Sequence, residues 1–171
     1  RNFLLGTIAA SRLVTPLVSI AQTLELVGPL RMADSPLGLV VADYVGGQVL
    51  IIDLATMQIT DAVPVYTDDT KLERGKPLSV GWMNGRLYVG EERTGLIQVF
   101  KRLGGRKNGG NRNPRKQARW VKQARWVQVS SSLAAAPIAQ PSAIVADEAL
   151  GWLFIASKID GAVYVLDAAG A

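Results

Sequence analysis

The residues best suited to bind a charged partner lie in one basic stretch, residues 101–127. No acidic residue occurs between Glu92 and Asp147, and an exact tandem repeat, Lys-Gln-Ala-Arg-Trp-Val, begins at Lys116 and again at Lys122. Lysine and arginine bind phosphate and carboxylate groups, and tryptophan rings stack on other flat rings. The candidate partner-binding residues are therefore Arg106, Lys107, Arg112, Arg115, Lys116, Arg119, Trp120, Lys122, Arg125 and Trp126.

Three interpretations of this basic stretch stay open. Basic side chains interleaved with exposed tryptophans suit single-stranded nucleic acid, because phosphates meet the cations while bases stack on the rings. The same set suits an acidic protein surface, an anionic polymer or anionic lipid head groups. The third interpretation is a duplication that lengthened an outer strand, whose charge keeps an exposed edge from aggregating.

The composition excludes much familiar catalytic chemistry. The chain contains no cysteine and no histidine. That absence excludes disulfides, thiolate nucleophiles, covalent haem attachment through cysteine, histidine general bases and ordinary zinc sites within this sequence. Ten of the 19 basic residues lie in the basic stretch, so the net charge of +5 hides an acidic remainder.

Adjacent carboxylates offer a possible calcium site. Asp68 and Asp69 could ligate calcium together with Asp34 or Glu73, since this ion takes carboxylate oxygens. The spacing matches no calcium-binding loop, and adjacent aspartates commonly form a solvated turn. We therefore predict no cofactor and keep calcium as an alternative.

A threefold repeat determines which elements position these residues. Each copy joins two alternating apolar runs through a polar turn that ends in glycine, which predicts a β-hairpin. A short apolar strand that begins at a proline precedes each copy, so the period is roughly 50 residues, as in stacked repeats. The copies are Gly38–Asp53, Gly85–Phe100 and Gly151–Asp167, and the prolines are Pro29, Pro77 and Pro141.

The first complete unit predicts four strands. They are Leu30–Ala33, Leu39–Asp43, Gln48–Leu54 and Gln58–Val65. The second unit predicts strands at Arg86–Gly90 and Leu96–Leu103, and a tight turn at Asn84-Gly85. The even period of the hexapeptide predicts a long cationic strand across residues 116–127.

The segment Leu39–Val65 resembles a blade of the YVTN and NHL families of β-propellers, and Gln140–Gly170 resembles an NHL unit. The resemblance covers about residues 29–171. It implies an all-β chain of propeller blades, each a four-stranded antiparallel meander. It also implies a binding or scaffold module of a secreted or cell-surface protein, with enzymes in the minority.

This resemblance divides the chain into one partial and three main units. Residues 1–28 are expected to be outer strands of a partial or preceding blade, followed by blades at 29–76, at 77–136 with the basic insertion 101–127, and at 137–171 without an outer strand. Thr23–Val27 could supply that missing strand.

The N-terminal segment resembles a signal peptide, but Arg12 and Pro16 interrupt its apolar run. No apolar stretch reaches the about 20 residues that a membrane span needs.

The predicted ring is incomplete, with about three to four blades. Propellers typically have about four to eight blades, and open end blades would expose apolar faces. Another protein chain or further blades should therefore complete the ring, a homodimer of half-rings being the simplest case. Strand order also predicts that the acidic loops lie on one side of the disc and the basic insertion on the other.

These observations favour a non-catalytic scaffold engaged in protein–protein assembly outside the cytoplasm. One alternative is an enzyme similar to lactonases or quinoproteins, with a metal held by Asp43, Glu91 and Asp160 at the mouth of the central channel. Ser157 departs from that pattern, because it stands where the other two units have Asp43 and Glu91. The other alternative is an RNA-binding component of a ribonucleoprotein, which depends on the basic insertion alone.

Overall fold

The computed structural model describes residues 26–68, 70–104, 125–130 and 137–167. Within these ranges the chain is all-β and contains no helix. Its eleven strands form three antiparallel sheets of three or four strands, in which sequential strands are neighbours. The all-β prediction is therefore confirmed. No helix in this part of the chain is long and apolar enough to cross a membrane.

The first sheet confirms the four strands predicted for the first unit. Its strands lie in the order β1-β2-β3-β4. Runs of valine and isoleucine residues favour extended backbone, and polar turns separate the strands. The observed bounds are β1 Pro29–Ser35, β2 Gly38–Asp43, β3 Gln48–Asp53 and β4 Gln58–Pro64, each within three residues of the predicted ends.

The second sheet has the same meander order, β5-β6-β7-β8. Asn84 and Gly85 have φ angles of 51° and 74°, so the predicted tight turn between its first two strands is confirmed. The predicted strand over residues 116–127 is described only from Arg125 onward. The strands are β5 Pro77–Met83, β6 Arg86–Glu91, β7 Ile97–Leu103 and β8 Arg125–Ser130.

The third sheet contains three described strands in the order β11-β10-β9. The predicted closing strand, Thr23–Val27, lies outside the described residues except for Leu26 and Val27. Those two residues are not in a strand, and the other three lie outside the described ranges, so the closing strand stays a prediction. The strands are β9 Pro141–Asp147, β10 Trp152–Ser157 and β11 Ala162–Asp167.

The second sheet lies between the other two and is buried on both faces. Leu87 and Val89 point to the first sheet, while Tyr88 between them points to the third sheet. This alternation along β6 explains the nearly continuous apolar sequence, because each face needs its own apolar set. Gly81 permits a close approach, since a Cβ atom there would lie 2.5 Å from Cγ2 of Ile144 in the third sheet.

Each sheet begins with the same irregularity. In β1, β5 and β9 the register shifts directly after the initial proline. Such a β-bulge bends the strand locally. The bulge in β9 also connects distant sheets, because Nε of Arg31 in β1 donates a hydrogen bond to the carbonyl oxygen of Ser142, at 3.1 Å.

Candidate functional site

The carboxylates predicted at the channel mouth are buried at the ends of the second strands. Glu91, at the end of β6, is 0% exposed. Its Oε1 accepts a hydrogen bond from the Lys76 backbone N–H at 2.7 Å. Its Oε2 accepts hydrogen bonds from the backbone N–H and the hydroxyl of Thr94, both at 2.7 Å. Glu91 therefore fastens the turn that follows β6 to the segment that precedes β5.

Asp43 does the same in the first sheet, at the end of β2. Its Oδ1 accepts hydrogen bonds from the backbone N–H groups of Gly28 at 2.9 Å and Gly46 at 3.4 Å, and its Oδ2 accepts one from Nε2 of Gln48 at 3.1 Å. The side chain is 1% exposed. Both carboxylates thus accept a hydrogen bond from the residue before an initial proline and from the third residue of the following turn.

The third sheet replaces this carboxylate by the hydroxyl of Ser157. Its Oγ lies 2.6 Å from the carbonyl oxygen of Ala139 and 2.7 Å from Oδ2 of Asp160, and it accepts a hydrogen bond from the Asp160 N–H. Hydrogen bonds from the hydroxyls of Ser157 and Tyr164 lower the pKa of Asp160. Asp160 is therefore the hydrogen-bond partner of a serine and a tyrosine.

These contacts favour a structural role for Asp43, Glu91 and Asp160. No group of three or more acidic side chains within the described ranges could hold a metal ion together. A carboxylate whose oxygens already accept two or three protein hydrogen bonds has little capacity left for a substrate or a metal. The three carboxylates predicted as metal ligands are not brought together as one cluster.

The loops on this side of the sheets contact one another, as the strand order predicts. The hydroxyl of Tyr44 donates a hydrogen bond to Glu92, and the ammonium group of Lys76 lies 4.9 Å from the centre of the Tyr44 ring. Arg93 forms an ion pair with Glu73. The turns after β2 and β6 therefore lie beside the connection between β4 and β5.

The calcium candidates in that connection have other partners. Oδ1 of Asp68 accepts hydrogen bonds from the N–H and the hydroxyl of Thr70, at 3.0 and 2.6 Å. Glu73 is paired with Arg93. Asp69 lies outside the described residues, so the calcium alternative is not tested at this position.

The basic insertion is described only at its two ends. Of the predicted partner-binding residues, Arg125 is exposed at the start of β8 and Trp126 follows it. The other predicted residues lie outside the described ranges: Arg106, Lys107, Arg112, Arg115, Lys116, Arg119, Trp120 and Lys122.

Trp126 corrects the expectation that both repeat tryptophans are exposed. Its ring is half-buried and packs at the edge of the core between the first two sheets. Its Nε1–H donates a hydrogen bond to Oδ2 of Asp61 in β4, at 2.7 Å. The ring also meets Trp82 edge to face, with centroids 6.2 Å apart. Trp126 therefore attaches β8 to the first sheet.

We expect Trp126→Phe to lower the free energy of unfolding by about 1–2 kcal/mol, because it removes a hydrogen bond to a partly buried carboxylate. Trp82→Phe is the matched control, since Trp82 packs against the same core cluster and donates no indole hydrogen bond among the described residues. Urea denaturation followed by circular dichroism measures both changes. Equal losses would show that the Asp61 hydrogen bond contributes nothing beyond packing.

A cleft of about 70 Å³ opens beside Trp126. Val63 and Pro64 of β4 form one wall, Phe100 of β7 and Trp126 of β8 form the other, and Lys71 also lines it. Sequence reasoning missed this cleft, because its walls come from two sheets whose relative position no local pattern reveals.

An exposed apolar face covers the outer side of the third sheet. Val145, Trp152, Val163 and Val165 are 62%, 42%, 64% and 53% exposed. Phe154 lies among them and meets the Trp152 ring edge to face. We call these five residues the open face. The open face could have been found in the sequence. Nearly every residue of β10 and β11 is apolar, so both faces of these strands need an apolar partner.

The comparisons with known proteins do not assign the chain to a family. No protein-family model matches it, and no curated protein matches it. Among solved structures, the crystal structure of the computationally designed Ika4 protein is similar, with a TM-score of 0.40 and 14% identity over 86% of this chain and 99% of that chain. A likeness of this size carries no argument about function, and the resemblance to YVTN and NHL repeats stays a prediction.

Proposed function

We propose that the chain is a non-catalytic assembly module whose three sheets are blades of an incomplete β-propeller. Equivalent features recur in the units. Each first strand has a bulge after its proline. In addition, the N–H of Val65 donates a hydrogen bond to the carbonyl oxygen of Gly47, as the N–H of Ile138 does to that of Gly95. Repeated contacts of this kind support stacked copies of one unit.

In this proposal the open face is the surface that binds the partner. Phe154 occupies the position of Val40 in the first sheet and of Tyr88 in the second. Val40 and Tyr88 are both fully buried, each against the sheet that follows its own. The open face is thus the surface that, in the other two sheets, contacts the next sheet. Its natural partner is another sheet.

A second copy of this chain is the partner that we propose. Met32 of β1 occupies the position of Val80 and Ile144, which are buried against the preceding sheet, yet Met32 is 65% exposed. Val41 lies on the same face of the first sheet but is only 2% exposed in a single copy of the chain. The first sheet of the second copy would therefore contact the open face mainly through its inner strand, β1.

Val163→Asp is expected to abolish this assembly, because it would bury an unpaired charge within the apolar contact. Val129→Asp is the matched control, since Val129 is a similarly exposed strand valine outside the open face. Sedimentation equilibrium of the full chain should give a dimer for the wild type and the control, and a folded monomer for Val163→Asp. A wild-type monomer at high concentration would overturn the proposal.

A further inference from the structure

Within the described part of the chain, the third sheet has no counterpart of the outer strands β4 and β8. Its last strand, β11, pairs with β10 alone among the described strands. Over residues 162–166 the other edge of β11 therefore has no described strand beside it, and these residues are exposed except at Leu166. An open strand edge is a template for a further strand, which it binds through backbone hydrogen bonds.

The segment before β1 is equivalent in structure to the segment before β5. In the first sheet, the N–H of Tyr44 donates a hydrogen bond to the carbonyl oxygen of Gly28, at 2.8 Å. In the second sheet, the N–H of Glu92 donates the same hydrogen bond to the carbonyl oxygen of Lys76, at 3.0 Å. Gly28 and Lys76 therefore occupy the same position in two units, at a shift of 48 residues in the sequence.

The same shift matches the sequence further upstream. It aligns the Leu-Glu pair at residues 24–25 with the Leu-Glu pair at residues 72–73. It also aligns Pro16 with Pro64, the last residue of β4. Residues 10–16, which lie outside the described ranges, therefore correspond to the outer strand β4.

The composition of residues 10–16 suits an outer strand. They read Ala-Ser-Arg-Leu-Val-Thr-Pro. Thr15 stands at the position of Val63, a residue buried in the core between the first two sheets, and both are β-branched residues that favour strands. A proline is accepted in an outer strand, as Pro64 is in β4, because its missing N–H can face away from the sheet.

The order of the units indicates which sheet this strand completes. β4 belongs to the sheet that precedes β5, so residues 10–16 should belong to the sheet that precedes β1. Within the described residues of one copy no sheet lies there, since the second sheet separates the first from the third. In the proposed assembly, the third sheet of a second copy occupies this place.

We propose that residues 10–16 of one copy pair antiparallel with β11 of a second copy, as the outer strand of its third sheet. The inference rests on the proposed function, because it needs the third sheet of one copy beside the first sheet of the other. It assigns Thr23–Val27 to the connection after the exchanged strand, at the position of residues 71–75. Each copy donates one strand and accepts one, so the exchange closes a twofold dimer.

The pairing of β3 with β4 specifies the register of the exchanged strand. Val63 of β4 lies opposite Val49 of β3. Val49 and Val163 occupy equivalent positions, since each pairs with the second-last residue of the strand before it. Thr15 of one copy therefore lies opposite Val163 of the other. The Cα atoms of directly opposite residues in an antiparallel pair are about 4.5–5.5 Å apart, which a disulfide can span.

The test introduces cysteines into the full chain, which has none of its own. Thr15→Cys combined with Val163→Cys should shift from the monomer to a disulfide-linked dimer on mild oxidation, measured by non-reducing gel electrophoresis and intact mass. The matched control combines Leu24→Cys with Val163→Cys, since Leu24 lies in the connection after the exchanged strand, and it should stay monomeric on the same gel. Circular dichroism checks that both variants are folded.

The outcomes separate this inference from the proposed function. A disulfide between the two cysteines of one chain would overturn the exchange. Failure of the Thr15–Val163 pair to cross-link, or equal cross-linking of the control, would overturn it as well, and a wild-type dimer in sedimentation equilibrium would then leave the proposed function intact. A wild-type monomer would overturn both.

Discussion

Replacing Glu91 by alanine is expected to lower the free energy of unfolding by about 3–5 kcal/mol. The carboxylate is fully buried and accepts three hydrogen bonds, from the Lys76 N–H and from the N–H and hydroxyl of Thr94. Alanine leaves buried donors without an acceptor, and each such group costs about 1–3 kcal/mol. Urea denaturation monitored by circular dichroism measures the loss.

Asp53→Ala is the matched control for this substitution. Oδ1 of Asp53 also accepts three hydrogen bonds, from the N–H groups of Ala55 and Thr56 and from the Thr56 hydroxyl. The backbone hydrogen bond from Thr56 is the main cause of the lowered pKa of Asp53. This turn is solvent-exposed, so water can replace the lost acceptor and the loss should be much smaller. Equal losses would contradict the structural role of Glu91, because burial is the main difference between the two sites.

The strands could be predicted from the sequence because their signals are local. Alternating apolar residues, the prolines that open β1, β5 and β9, and the Asn84-Gly85 pair all act within a few residues. Local backbone preferences and side-chain alternation determine such elements before tertiary contacts form. The predicted strand ends therefore agree with the structure to within a few residues.

The roles of the polar side chains could not be predicted in this way. Asp43, Glu91 and Ser157 were correctly placed at equivalent positions, but the sequence does not show that N–H groups from another loop converge on them. The same limit applies to Trp126, which looks like an exposed ring in an alternating pattern. Its partner, Asp61, lies 65 residues earlier in the chain and in a different sheet.

Gly95→Ala is expected to lower the free energy of unfolding by about 4 kcal/mol. Gly95 has a φ of 68°, which costs a residue with a Cβ atom roughly 1–2 kcal/mol. A Cβ atom there would also lie 2.6 Å from the carbonyl oxygen of Ile138, a backbone atom that has no freedom to rotate away. The added methyl group must push apart the turn after β6 and the segment before β9, and overpacking of this kind adds about 1–3 kcal/mol.

Gly85→Ala separates the two contributions. Gly85 has a similar φ of 74°, but a Cβ atom there would have nothing within 4 Å. This variant should therefore lose only the conformational part, about 1–2 kcal/mol. The difference between the variants reports the contact of Gly95 with Ile138, whose N–H also donates a hydrogen bond to the Gly95 carbonyl at 2.8 Å. If both variants lost the same free energy, the second and third sheets would not be in close contact at this point, and they would not stack here as repeated units do.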